Sequence, residues 1–148
     1  MTYSTRVRYG LRLLVRLALQ NEPRLSMGDI AREEGVSIKY LEQIVSLLKP
    51  LGILEAVRGA HGGYRLKCGP SFITMDKVFE CLGGLSAIAP CYENENFCER
   101  VDFCTTKPFW GRLDEHMRCF LRDTTLADVV ALAPEGSADF QFFVQKQS

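Results

Sequence analysis

The sequence predicts a mainly α fold with a small β wing, a winged helix-turn-helix followed by a long dimerisation helix. Three observations carry that expectation. Apolar residues recur at helical spacing through residues 4–50. A glycine-rich basic hairpin pattern follows at residues 53–66. Near the other end, residues 109–121 carry an apolar, aromatic helical stripe too broad for one small domain to cover.

The elements can be justified in chain order. In the first helix, over residues 4–20, Leu11, Leu14, Val15, Ala18 and Leu19 form the expected buried stripe, with Arg6, Arg8, Arg12 and Arg16 between them. Ser26 with Asp29 three residues on reads as a capping-box start for a short helix containing Ile30 and Ala31. Gly35 stops it, and Val36-Ser37 opens a second helix with Leu41, Ile44, Val45 and Leu48 on its buried side. Small residues at Ala31 and Gly35 suit the close crossing and sharp turn of a helix-turn-helix. Ile53 to Val57 reads as a strand, and Arg58 to Leu66 as a glycine-rich turn with a returning strand.

Such a hairpin directly after a helix-turn-helix makes a winged helix, in which a helix enters the major groove and the wing reaches a neighbouring groove or phosphate. The outward face of the second helix carries Lys39, Tyr40, Glu42, Gln43, Ser46 and Lys49. Gln43 suits adenine, Glu42 suits the cytosine amino group, and Lys39 and Lys49 suit phosphates. Arg58 and His61 mark the wing tip. The bland alternative for any one of these is an ordinary solvated side chain.

Charge supports a polyanionic partner for this half. Residues 1–67 hold 11 Lys/Arg against 6 Asp/Glu, a net of +5, whereas residues 68–148 hold 7 against 12, a net of −5. The expected partner is a double-stranded DNA operator. A winged-helix module that binds protein instead, with structural cysteines, is the alternative from another class. No nucleophile–base pair, P-loop or dinucleotide fingerprint points to an enzyme. No run of roughly 18 apolar residues predicts a membrane span. Arginines break up the apolar N-terminal residues, unlike a signal peptide, so the expected compartment is cytoplasmic, where thiols stay reduced.

Beyond the wing, Thr74 to Leu82 reads as a short helix with Val78, Phe79 and Leu82 on one side, broken by Gly83-Gly84. Cys68 and Cys81 are most simply small, partly buried thiols. Pro108 suits the first turn of the long helix, whose stripe is Phe109, Trp110, Leu113, Met117, Phe120 and Leu121. Both a partner subunit and the chain's own first helix are expected to cover it. A homodimer would hold two reading helices roughly 34 Å apart, matching a palindromic operator. Thr125 with Asp128 caps a last short helix, ended by Pro134. The expected organisation is a DNA-binding domain over 1–67, a connecting helix and cysteine loop over 68–104, a dimerisation helix and short helix over 105–133, and a tail over 134–148. Phe140, Phe142 and Phe143 make the tail too apolar for a solvated end, so it is expected to dock on the dimer.

Between the short and long helices runs CYENENFCERVDFC, with Cys91, Cys98 and Cys104 separated by six and five residues. The spacing matches neither a zinc ribbon nor a C-x2-C redox pair, and it cannot stack the thiols on one helical face. The segment must loop around whatever it binds, which suits an iron–sulfur cluster of two or four irons. Glu93, Glu95, Glu99 and Asp102 outnumber Arg100 and are expected to raise the thiol pKa values in the empty site. Cofactor-free thiol redox switching is the alternative.

Tyr9, Ile30-Ala31, Tyr40-Leu41-Glu42-Gln43-Ile44 and Arg58-Gly-Ala-His-Gly-Gly-Tyr64 together resemble the Rrf-two (Rrf2) family of bacterial regulators, IscR-like and NsrR-like, over roughly residues 1–132. The resemblance implies homodimeric winged-helix transcription factors, with the recognition helix at 37–50 and the wing at 58–64. It also implies a cluster held by three cysteines at the place of Cys91, Cys98 and Cys104. Two departures stand out. Cluster-binding members space these cysteines by five and five. Their fourth ligand is a histidine where this chain has Lys107, or a partner subunit's acidic residue where it has Arg8. Glu93, Glu95, Glu99, Asp102 and His116 are the remaining candidates for a fourth ligand, none of them compelling.

Overall fold

The structure is a computed structural model and describes residues 3–20, 25–60 and 62–134. Among these, helices α1 (Thr5–Leu19), α2 (Met27–Glu34) and α3 (Ile38–Leu48) are followed by strands β1 (Leu54–Val57) and β2 (Gly63–Leu66), then α4 (Met75–Cys81), α5 (Lys107–Asp123) and α6 (Leu126–Ala131). Short 3-10 turns fill the connections, three of them between residues 90 and 103.

Hydroxyl caps start the first three helices. Ser4, Ser26 and Ser37 accept from the backbone N–H of Val7, Asp29 and Tyr40, each cap contributing about 1 kcal/mol. Gly35 ends α2 at φ 64° and returns its N–H to the Ala31 carbonyl, which is the turn of the helix-turn-helix. The α3 stripe is as expected, with Leu41, Ile44, Val45 and Leu48 all buried.

The α1 stripe is not. Val7, Gly10, Leu13, Leu14 and Leu17 are buried, whereas Leu11, Val15, Ala18 and Leu19 are only partly so. The leucine-rich helix could satisfy several apolar faces. Gly10 turns the balance, because its missing side chain admits Leu82 so closely that a Cβ would meet one Leu82 methyl at 3.1 Å.

β1 and β2 pair antiparallel, with Glu55 opposite Arg65 and Ala56 opposite Tyr64. Leu25 and Tyr64 exchange backbone hydrogen bonds at 3.0 and 2.9 Å, which stitches the wing to the start of the helix-turn-helix. At the far end, the N–H of Met75 donates to the Thr124 carbonyl and that of Leu126 to the Ile73 carbonyl, fastening α4 to α6. One core of aliphatic side chains joins all these elements, and no polar residue is buried in it among the described residues.

The long helix differs in packing from expectation. α5 lies mainly against α4, while α1 packs on α6, α3 and β2. Of the predicted stripe only Leu121 is buried; Phe109, Trp110, Leu113 and Phe120 are exposed, Phe120 by 67%. Among the described residues nothing covers these four side chains. The residues of the expected tail beyond Pro134 lie outside the described residues.

Candidate nucleic-acid interface and cysteine loop

α3 presents Lys39, Glu42, Gln43 and Ser46 to solvent, and Lys49 is exposed where the helix ends. Arg58 is exposed just after β1 and pairs with no carboxylate among the described residues. Arg65 is engaged instead: its Nε donates to Glu55 Oε2 at 2.8 Å across the wing. That bond is the main reason the Glu55 carboxyl is lowered and the Arg65 guanidinium raised from their ordinary pKa values. His61 lies outside the described residues. The exposed side chains of α3 and Arg58 offer hydrogen-bonding groups and positive charge to solvent.

Tyr40 is placed differently from its neighbours on the reading face. It is half-buried edge-on against Tyr9, ring centroids 5.9 Å apart, and its hydroxyl is buried with no hydrogen-bond partner among the described residues. The Arg12 guanidinium lies 5.4 Å from the Tyr9 centroid and also donates to Glu34 at 2.9 Å. Arg16 pairs with Glu33 nearby, both side chains largely buried. α1 thus braces both helices of the reading head. Sequence reasoning missed this brace, although the i, i+3 spacing of Tyr9 and Arg12 put them on one face.

Cys91 and Cys104 are half-buried and Cys98 is exposed. Their surroundings correct one expectation. The Cys104 thiol is pulled below the ordinary thiol pKa, chiefly by hydrogen bonding to the Thr106 hydroxyl, Sγ to Oγ1 3.3 Å, and to its backbone N–H. The acidic residues of the loop do not override that local bond.

Soft thiolates suit an iron–sulfur group chemically. As folded, however, the residues do not fit one: among the described residues no three Cys, His, Asp or Glu side chains stand close enough to share a metal ion. Lys107, at the expected fourth position, points its ammonium toward the Tyr92 ring, 5.9 Å from the centroid. The Tyr92 hydroxyl donates to the Lys107 carbonyl at 2.7 Å. A glycine inside a long helix costs about 1 kcal/mol against alanine and so flags a close approach; Gly111 was that signal, since Tyr92 rests on it.

The family profile described as Rrf2, iron-dependent transcriptional regulator, matches residues 3–132. The chain belongs to the Rrf2 family. It is 34% identical over 143 residues to protein rrf2 of Nitratidesulfovibrio vulgaris, covering 94% of this chain and 95% of that one. To the HTH-type transcriptional regulator CymR of Bacillus subtilis it is 31% identical over 145 residues, covering 97% and 100%. The solved structure of that CymR, described as the global cysteine regulator of B. subtilis, aligns with a TM-score of 0.73 over 90% of this chain and 99% of that one. The structure of T. potens IscR aligns with a TM-score of 0.71 at 30% identity, over 93% of this chain and 91% of that one. The fold is therefore that of the winged-helix Rrf2 regulators, and this Rrf2 chain is a DNA-binding transcriptional regulator, not an enzyme. No helix among the described residues is long and apolar enough to cross a membrane.

Proposed function

We propose that this Rrf2 regulator acts in the cytoplasm as a homodimer on a palindromic operator, and that the state of Cys91, Cys98 and Cys104 sets its operator affinity. The head, residues 1–67, reads DNA: Gln43 and Glu42 address base edges in the major groove, Lys39 and Lys49 hold phosphates, and Arg58 with His61 serves the wing. Tyr40 contributes by seating α3 on α1 as well as by any DNA contact. Residues 68–104 form the connector and sensor loop, and α5 with α6, within 105–133, forms the dimer element. The exposed Phe109, Trp110, Leu113 and Phe120 support a second copy as the cover of α5.

The observation that carries the sensor assignment is position. Three thiols lie on an exposed loop that joins α4 to the first turn of α5, so a change in the loop bears directly on the dimer helix. An iron–sulfur cluster is the first reading of the occupant, supported by the family's iron dependence and by the likeness to IscR. With Lys107 turned to Tyr92, the fourth ligand has to come from elsewhere, and Glu93, Glu95, Glu99, Asp102 and His116 are the candidates to test. The second reading is direct thiol chemistry, favoured by the lowered Cys104 pKa and by the comparable likeness to CymR.

One preparation tests both. Anaerobically purified or reconstituted protein is expected to be coloured, with iron and sulfide bound, and to lose colour in a C91S/C98S/C104S variant. Colourless, iron-free protein after reconstitution contradicts the cluster, and operator affinity that then still responds to peroxide through these cysteines supports the thiol reading.

A further inference from the structure

The two ends of the cysteine loop are held unlike its middle. At the first end the Ile88 N–H donates to Asp114 Oδ1 on α5 at 3.2 Å, and Asp114 is itself fixed by Arg118 at 2.6 Å. The next residue after Cys91 is Tyr92, whose hydroxyl is bonded to the Lys107 carbonyl and whose ring rests on Gly111. A methyl group at Gly111 would overlap the hydroxyl and meet the ring carbon that bears it at 3.0 Å. At the other end the Lys107 N–H donates to the Cys104 carbonyl at 3.3 Å. Cys91 and Cys104 are thus both tied to the first turn of α5, through the two backbone groups of Lys107.

The arc between them has no such anchor. From Glu93 to Phe103 its hydrogen bonds among the described residues stay within residues 87–104 and reach no α-helix: the Ala87 N–H donates to Glu93 Oε1 at 2.7 Å, the Glu93 and Asn94 N–H groups to the Pro90 carbonyl, Asn96 and Phe97 to Asn94, Val101 to Cys98 and Phe103 to Arg100. Phe97 is 60% and Phe103 89% exposed. Any chemistry that draws Cys98 toward the other two therefore moves the arc freely and pulls on the anchors.

We propose that Tyr92 is the positioning residue that couples the cysteine loop to the dimer helix: seated on Gly111 and bonded to the Lys107 carbonyl, it makes Cys91 and the first turn of α5 move as one body. The coupling rests on the reading of this loop as the sensor. Glycine at position 111 is what allows the seat, because alanine would fill it. From α5 the movement passes to α4, and the backbone bonds between the starts of α4 and α6 carry it to α1, on which α6 and α3 both pack.

The single tryptophan, Trp110, adjoins Gly111 and reports on this turn. The test loads the 148-residue chain with cadmium ion, a soft cation that binds thiolates, and follows Trp110 fluorescence. The response of a C91S/C98S/C104S variant is subtracted to remove the other thiols. Wild type is expected to show an emission change on loading. Tyr92→Phe and Gly111→Ala are each expected to bind cadmium with wild-type stoichiometry while retaining less than half of that change. Full retention in both variants overturns the coupling, as does a wild-type chain that binds cadmium through the three cysteines with no emission change. Operator affinity on the same samples separates the two ideas. A Trp110 response that Tyr92→Phe halves, with affinity unmoved by loading in wild type, supports the coupling and overturns the sensor reading.

Discussion

Between Ser26 and Leu48, two hydroxyl caps, a left-handed glycine, two ion pairs to α1 and six buried aliphatic residues hold α2 and α3 in one arrangement. Between residues 90 and 104, three short 3-10 turns and hydrogen bonds within the loop hold a chain whose Phe97 and Phe103 side chains face water. The reading head buries its aliphatic side chains in the core and has one geometry. Among the described residues the loop carries no buried hydrophobic residue, and three thiols lie on it. A regulator needs both kinds of region: a surface that presents the same side chains to DNA each time, and a segment whose rearrangement costs little. The difference also locates the contact that matters most between them, the anchored ends of the loop on α5.

The largest expected effect breaks the comparison if it fails. Leu41→Ala, in a fully buried site of the head, is expected to cost about 2–5 kcal/mol of stability. Phe103→Ala, 89% exposed in the loop, is expected to change it by less than about 0.5 kcal/mol. Denaturant unfolding of the two variants checks this; equal losses would mean that the loop is packed against something in the folded protein.

Operator binding sharpens the same contrast at an intermediate scale. Gln43→Ala and Arg58→Ala are each expected to weaken operator binding by about 1–3 kcal/mol, roughly 10-fold to 100-fold, with unfolding unchanged. Replacing Arg58 should also reduce the salt slope by about one if it contacts phosphate. Phe97→Ala should do neither. Fluorescence anisotropy over a salt series reads all three variants, and an intact affinity in the first two removes the reading-head assignment.

The smallest effects concern the caps. Ser37→Ala is expected to cost about 1 kcal/mol and to weaken DNA binding only through α3. Asp29 carries a pH signature. Its carboxyl is held below the ordinary range, first by the Ser26 hydroxyl and then by Arg32. Because the folded pKa is the depressed one, this stabilisation is complete above the unfolded carboxylate value near 4 and is lost as pH falls further. Ser26→Ala should flatten the acid limb of the stability curve, measured by thermal melts below about pH 4.

How far the chain could be read from sequence follows the same division. α3 was readable in full, because Leu41, Ile44, Val45 and Leu48 leave a single face to bury and Ser37 marks its start. α1 was placed correctly as a helix, yet its face was misjudged: leucines surround it, and only the approach of Leu82 to Gly10 decides the rotation. For α5 the exposed aromatic stripe was readable, but its packing on α4 instead of α1 depends on where the chain turns after residue 84. The loop was the least readable region. Cysteine spacing pointed to a ligand-binding loop as an expectation and carried no information on its geometry. The depressed thiol of Cys104 arises chiefly from Thr106, and none of the loop's acidic residues contributes to that shift. Tyr92 carried no signal of its own; Gly111 within a helix carried it instead.

If, as proposed, Cys91, Cys98 and Cys104 set operator affinity, an operator selected from a random-sequence pool will report it. Affinity is measured anaerobically for wild type and for C91S/C98S/C104S, each before and after exposure to air or peroxide. Wild-type affinity is expected to change at least tenfold, with the variant fixed at one value in both conditions. An equal response in the two chains, or none in either, would contradict the account.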